Sequence, residues 1–74
     1  MPTFTFYFHG RNISDGSEYE AEAQRTLPSL PEAIAGLHSG YIQPDVEDYN
    51  EDVDLHYVDI FDESGTNELE TVEL

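Results

Sequence analysis

Seventy-four residues carry seventeen carboxylates, two arginines and no lysine, a formal charge of −15. A chain this short forms one domain, residues 1–74, which buries only about 60% of its unfolded surface. With no cysteine it has neither a disulfide staple nor a thiolate metal site, and its charge disfavours direct contact with DNA, RNA or anionic lipid.

The first element is written in period two. From Thr3 to His9, Phe4, Phe6 and Phe8 fall on one face and Thr3, Thr5, Tyr7 and His9 on the other, which predicts a strand. Gly10 to Ser17, with Asn12, Asp15 and Gly16, predicts a turn. Glu18 to Arg25 alternates again, with Tyr19, Ala21 and Ala23 opposite Glu18, Glu20 and Glu22. It pairs with the first strand as a hairpin. Ser29-Leu30-Pro31-Glu32 opens a helix: Ser29 is the cap, Glu32 follows three residues on, and Pro31 sits in the first turn. Leu30, Ala33, Ile34 and Leu37 form its apolar stripe, and Gly40 stops it. Gly36 weakens the helix by about 1 kcal/mol relative to alanine, so it holds only by packing on the sheet.

Gln43 to Asp54 is an acidic loop in which six of twelve residues are carboxylates. A third strand runs from Leu55 to Phe61, a turn over Asp62-Glu63-Ser64-Gly65, and a fourth strand of mixed pattern from Asn67 to Leu74. Strand, strand, helix, strand, strand predicts an α+β domain: a four-stranded antiparallel sheet with one short helix on one face. No repeat, linker or second domain interrupts it.

The nine aromatics argue against disorder, which pairs high charge with few aromatics. No apolar stretch approaches the roughly 18 residues of a membrane span, and Met1-Pro2-Thr3-Phe4 lacks a basic signal region. The expected location is the cytoplasm.

The charge is the informative feature. A net magnitude of about 2–8 serves solubility, and a larger one strains the compact state by self-repulsion. The excess therefore predicts a negative surface shown to a positive partner. Asp45, Glu47, Asp48, Glu51, Asp52 and Asp54 crowd the loop, with Tyr49 among them as an interface anchor. Glu68, Glu70 and Glu73 extend this surface. Glu18, Glu20 and Glu22 form a second row about 6.7 Å apart, broadly the spacing of successive backbone phosphates. The bland reading of the loop is a solvated segment, and a polar outer sheet face explains the alternation of Glu18, Glu20 and Glu22, but not why all three are glutamate with no lysine interspersed.

Other chemistries fit poorly. An EF-hand loop needs glycine at its sixth position and glutamate at its twelfth. Counted from Asp45 those positions hold Asn50 and His56, and from Asp48 they hold Val53 and Asp59. His9, His38 and His56 show no ligand spacing, the glycines form no phosphate loop, and the serines no nucleophile elbow. Asn12-Ile13-Ser14 matches a glycosylation sequon without a secretory signal. No enzyme activity, cofactor or metal is expected.

Two resemblances add to this. Met1-Pro2 with Phe4-Thr5-Phe6-Tyr7-Phe8, Leu27-Pro28-Ser29-Leu30-Pro31-Glu32-Ala33, Val58-Asp59-Ile60-Phe61-Asp62-Glu63-Ser64-Gly65 and Thr71-Val72-Glu73-Leu74 resemble the layout of a group of short uncharacterised bacterial domains. That implies a fold and no activity, and this chain departs by its shorter helix and inserted acidic loop. In size, charge and α+β build the chain also resembles phage-encoded anti-CRISPR and anti-restriction proteins that imitate nucleic acid. That likeness implies an inhibitor of a positively charged nucleic-acid-binding protein or complex, such as a CRISPR effector, acting in a host cytoplasm; repulsion between copies of charge −15 predicts a monomer at low salt. Two other readings compete: a regulatory or antitoxin-like partner of a basic protein, and a housekeeping domain adapted to high salt.

Overall fold

Phenylalanine at every second position makes the first strand the centre of a sheet. The computed structural model describes residues 1–44 and 53–74. Its elements are β1 (Thr3–Asn12), β2 (Glu18–Thr26), α1 (Leu30–Ser39), β3 (Val53–Phe61) and β4 (Glu68–Glu73). The strands form one antiparallel sheet in the order β2-β1-β3-β4. The domain is thus α+β, with four antiparallel strands and one short helix.

The alternation of β1 sorts two environments. Phe4, Phe6 and Phe8 are 5%, 0% and 1% exposed. They share a core with Ala23, Val58, Ile60 and Val72 from the other strands, Ala33 and Leu37 of α1, and Ile42 beyond it. Each buried phenylalanine stabilises the fold by roughly 1.5–3 kcal/mol, so this face holds most of the favourable energy.

The helix behaves largely as its sequence predicts, with one difference. Ser29 is at the N-cap and its carbonyl accepts from Ala33 N–H at 3.2 Å, yet its side chain makes no capping bond. A capping hydroxyl accepts from the second or third helical N–H; the second residue here is Pro31, which has none, and the third N–H, of Glu32, is not taken either. Gly40 ends the helix at φ 80° and donates to Leu37 O. Gly36 has a packing role. A Cβ there would lie 2.6 Å from Cδ1 of Ile42, which is 3% exposed and donates its N–H to Gly36 O at 3.1 Å.

Two strands run longer than alternation implies. β1 continues through Gly10, Arg11 and Asn12, and β3 begins at Val53. These ends pair with each other: Gly10 with Leu55, Arg11 with Asp54, Asn12 with Val53. His9 faces Tyr57 while Gly10 faces Leu55, so His56 is the extra residue of a β-bulge. A Cβ on Gly10 would stand 2.2 Å from Asp54 O, and the bare glycine admits that approach. The bulge turns Leu55 onto the helix side, where it packs on the core, while Tyr57 stays on the other side. A second bulge gives β4 its mixed pattern: Ile60 faces Glu70 but Phe61 faces Glu68, leaving Leu69 over.

Candidate functional site: the helix-free face of the sheet

The register decides which carboxylates share a surface. With the phenylalanines turned to α1, Thr5, Tyr7, His9 and Arg11 of β1 face the other way. Glu22 stands beside Tyr7, Glu20 beside His9 and Glu18 beside Arg11 on one flank. Asp59, Tyr57 and Asp54 stand beside them on the other flank. β4 adds Glu73 next to Tyr57, Thr71 next to Asp59 and Glu68 next to Phe61. Among the described residues this face therefore carries seven carboxylates (Glu18, Glu20, Glu22, Asp54, Asp59, Glu68, Glu73) and one arginine, Arg11. The acidic rows of β2 and β4 are three strand spacings apart, about 14 Å.

Of the residues expected to bind a partner, Glu18, Glu20, Glu22, Asp54, Glu68 and Glu73 come together here. Glu70 does not: paired with Ile60, it lies on the helix side, beside Ile34, His38 and Val72. Asp45, Glu47, Asp48, Tyr49, Glu51 and Asp52 lie outside the described residues.

The centre of the face contains groups that charge alone does not single out. His9 stacks on Tyr57 with ring centroids 4.5 Å apart at 14°. Its Nδ1 is 4.0 Å from Glu20 Oε1 and its Nε2 is 3.1 Å from Asp59 Oδ2. Nε2 is shielded from solvent and makes no hydrogen bond, although Asp59 Oδ2 lies within ion-pair distance of it. The other Asp59 oxygen accepts a hydrogen bond from Thr71 Oγ1 at 2.8 Å. Tyr7 meets Phe61 edge to face at 5.1 Å and 88°. Tyr7, His9, Glu20, Asp59, Phe61 and Gly65 line an open cavity of about 320 Å³. The alternation of β1 placed Tyr7 and His9 on one face in the sequence. Asp59 joins them only because β3, not β2 alone, is their neighbour.

One end of the face is closed by the β3–β4 turn. Gln24 Nε2 donates to Thr5 Oγ1 at 3.0 Å and to Glu63 O at 3.2 Å, which draws the turn across the sheet and leaves Thr5 2% exposed. Asp62 organises the turn by accepting from Asn67 Nδ2 at 2.6 Å and from Ser64 Oγ at 2.7 Å. The side-chain bond from Asn67 first, then that from Ser64, hold the Asp62 pKa down at about 2. Asp15 in the β1–β2 turn is lowered in the same way, by bonds from Ser17. Gly65 has φ 75°, and a Cβ on it would stand 2.9 Å from the Tyr7 hydroxyl, so the turn abuts that ring.

A metal fits this constellation badly. Glu20 and Asp59 approach opposite nitrogens of one imidazole and cannot share an ion with it. Among the described residues no group of three or more His, Cys, Asp or Glu could hold a metal, and no helix is long and apolar enough to cross a membrane. What the face can do is present fixed negative charge around an aromatic centre. No family model, curated protein or solved structure matches this chain.

Proposed function

We propose that this chain is an acidic binding module that imitates nucleic acid and inhibits a DNA- or RNA-binding complex, with a CRISPR effector that binds target DNA as the leading candidate. The observation that carries the reading is the gathering, among the described residues, of seven carboxylates and a single arginine on one helix-free sheet face. Neighbouring carboxylates on β2, about 6.7 Å apart, repel by about 0.6 kcal/mol per pair in bulk water. A cationic channel relieves that repulsion. It binds phosphate chains by releasing counterions, and a rigid row of carboxylates substitutes for the phosphates. Opposite charges also steer the encounter and make it sensitive to salt.

The test is displacement of a fluorescently labelled DNA duplex from purified CRISPR effector complexes, followed by anisotropy at several salt concentrations. The native chain displaces the duplex at low salt and less well as salt rises. Replacing Glu18, Glu20 and Glu22 together by glutamine weakens displacement and flattens its salt dependence. Asp48, Glu51 and Asp52 changed to Asn or Gln report separately on the loop. No displacement from any effector removes the CRISPR assignment. Equal displacement by the native chain and the β2 variant removes the sheet face from the site.

A further inference from the structure

We propose that the cavity on the helix-free face receives one arginine side chain of the protein partner, an inference that rests on the polyanion reading above and specifies its anchor. The walls suit a guanidinium. Tyr7 and Phe61 supply aromatic surface, locked edge to face at 5.1 Å. Gly65 abuts the Tyr7 hydroxyl and fixes the ring from the turn side. Asp59 is about three-quarters buried at one wall and Glu20 stands at another, mostly exposed. The volume, about 320 Å³, is at the small end of ligand sites, which start at roughly 300 Å³.

The partner's chemistry follows from these walls. A guanidinium is planar, weakly hydrated and stacks on aromatic faces while donating in its own plane. A carboxylate offers about four lone-pair sites. Asp59 uses one for Thr71 and turns another toward His9, which leaves acceptor capacity for an incoming donor. An ammonium is a compact, strongly hydrated point charge and gains less from a stacked wall. Glu20 lines the cavity, and Glu18, Glu22 and Glu68 lie on the same sheet face, where they complement a basic surface around that arginine. Arginine anchors in central pockets carry a large share of interface energy.

The experiment titrates the full chain with N-acetyl-glycyl-arginyl-glycinamide, its lysine counterpart and its norleucine counterpart, followed by amide and aromatic NMR shifts. The arginine peptide moves the resonances of Tyr7, His9 and Phe61 in a saturable way, and the lysine peptide binds about fivefold more weakly. Asp59→Asn, which keeps an acceptor for Thr71, loses the arginine response. So does Tyr7→Leu, and circular dichroism checks that both variants are folded. Glu32→Gln, exposed on α1 across the sheet from the cavity, leaves the response unchanged. Equal affinity for the arginine and lysine peptides, or shifts spread evenly over all acidic residues, overturns the proposal in favour of a diffuse ion atmosphere. Shifts that grow with protein concentration in the absence of peptide overturn it in favour of Arg11 from a second copy. If the peptide binds and DNA is never displaced from the effectors, the CRISPR assignment fails and the cavity stands. If DNA is displaced and the peptide is ignored, only the cavity fails.

Discussion

The two faces of this sheet are made from the same strands and obey opposite rules. On the helix side every β1 residue is phenylalanine until Gly10, and neighbours from three strands, α1 and Ile42 close over them. On the open side polar and aromatic residues alternate across the strands, and carboxylates occupy both flanks. One face has been filled to exclude water. The other keeps like charges in register although separating them stabilises the fold. Energy gained under the helix thus holds a surface that its own electrostatics push apart.

The largest effect that sharpens this contrast lies under the helix. Phe6 is 0% exposed, so Phe6→Ala is expected to destabilise by about 3–5 kcal/mol. In a domain of this size that removes most of the stability. Urea unfolding monitored by tyrosine fluorescence should show the midpoint collapsing toward zero denaturant.

The next effect tests the bulge that separates Leu55 from Tyr57. Gly10→Ala places a methyl group 2.2 Å from a backbone oxygen, which cannot rotate away. A loss of about 1–3 kcal/mol is expected, together with weaker hydrogen-exchange protection at Leu55 and Asp54. An alanine tolerated without loss would show that the strands do not close as described.

A smaller effect is set by pH. Folding lowers the Asp62 pKa from 3.8 to about 2. The unfolded chain therefore binds the proton first, and the stabilisation is complete above about pH 4. It is lost as pH falls through the folded value near 2. Thermal melts between pH 5 and pH 2 should drop more steeply for the native chain than for Asp62→Ala, which has lost the turn already. Parallel curves would mean that the Asn67 and Ser64 bonds contribute nothing.

The smallest effect has the opposite sign. Replacing Glu18, Glu20 and Glu22 by glutamine removes two neighbouring repulsions. This should stabilise the fold by about 0.5–1 kcal/mol at low salt and by less at high salt, where screening already acts. A melting temperature that rises with salt for the native chain but little for the variant supports a face held under electrostatic tension. A native chain that is unfolded in dilute buffer and needs molar salt to fold would instead favour adaptation to salt.

Much of this was legible in the residues. The period-two run from Thr3 to His9 and the Glu/Ala alternation of β2 each specified their faces, because a half-covered sheet forces that pattern. The stripe Leu30, Ala33, Ile34 and Leu37 marked the packed side of α1, and Asp62 to Gly65 marked a turn. The bulges were not legible. Nothing in the local pattern says that His56 or Leu69 will be skipped, since a bulge depends on how the partner strand runs. Hence plain alternation puts Leu55 with Tyr57 and Phe61, and the charge pattern puts Glu70 with Glu68 and Glu73. The acidic face was half visible. Its β2 row follows from alternation, but the meeting of His9 with Asp59 needs the strand order, a long-range property.

That order has a consequence for how the molecule forms. β1 with β2 and β3 with β4 are local hairpins, while β1 and β3 lie about fifty residues apart along the chain and meet in the middle of the sheet. Local hairpins close in roughly 1–10 μs, whereas joining them must overcome a long loop and places this chain among the slower folders. The first hairpin, residues 3–26, holds four carboxylates and two arginines, and the second, residues 53–73, holds seven carboxylates and no arginine. Assembly is thus the collision of two anions, and added salt should quicken refolding before it changes anything else.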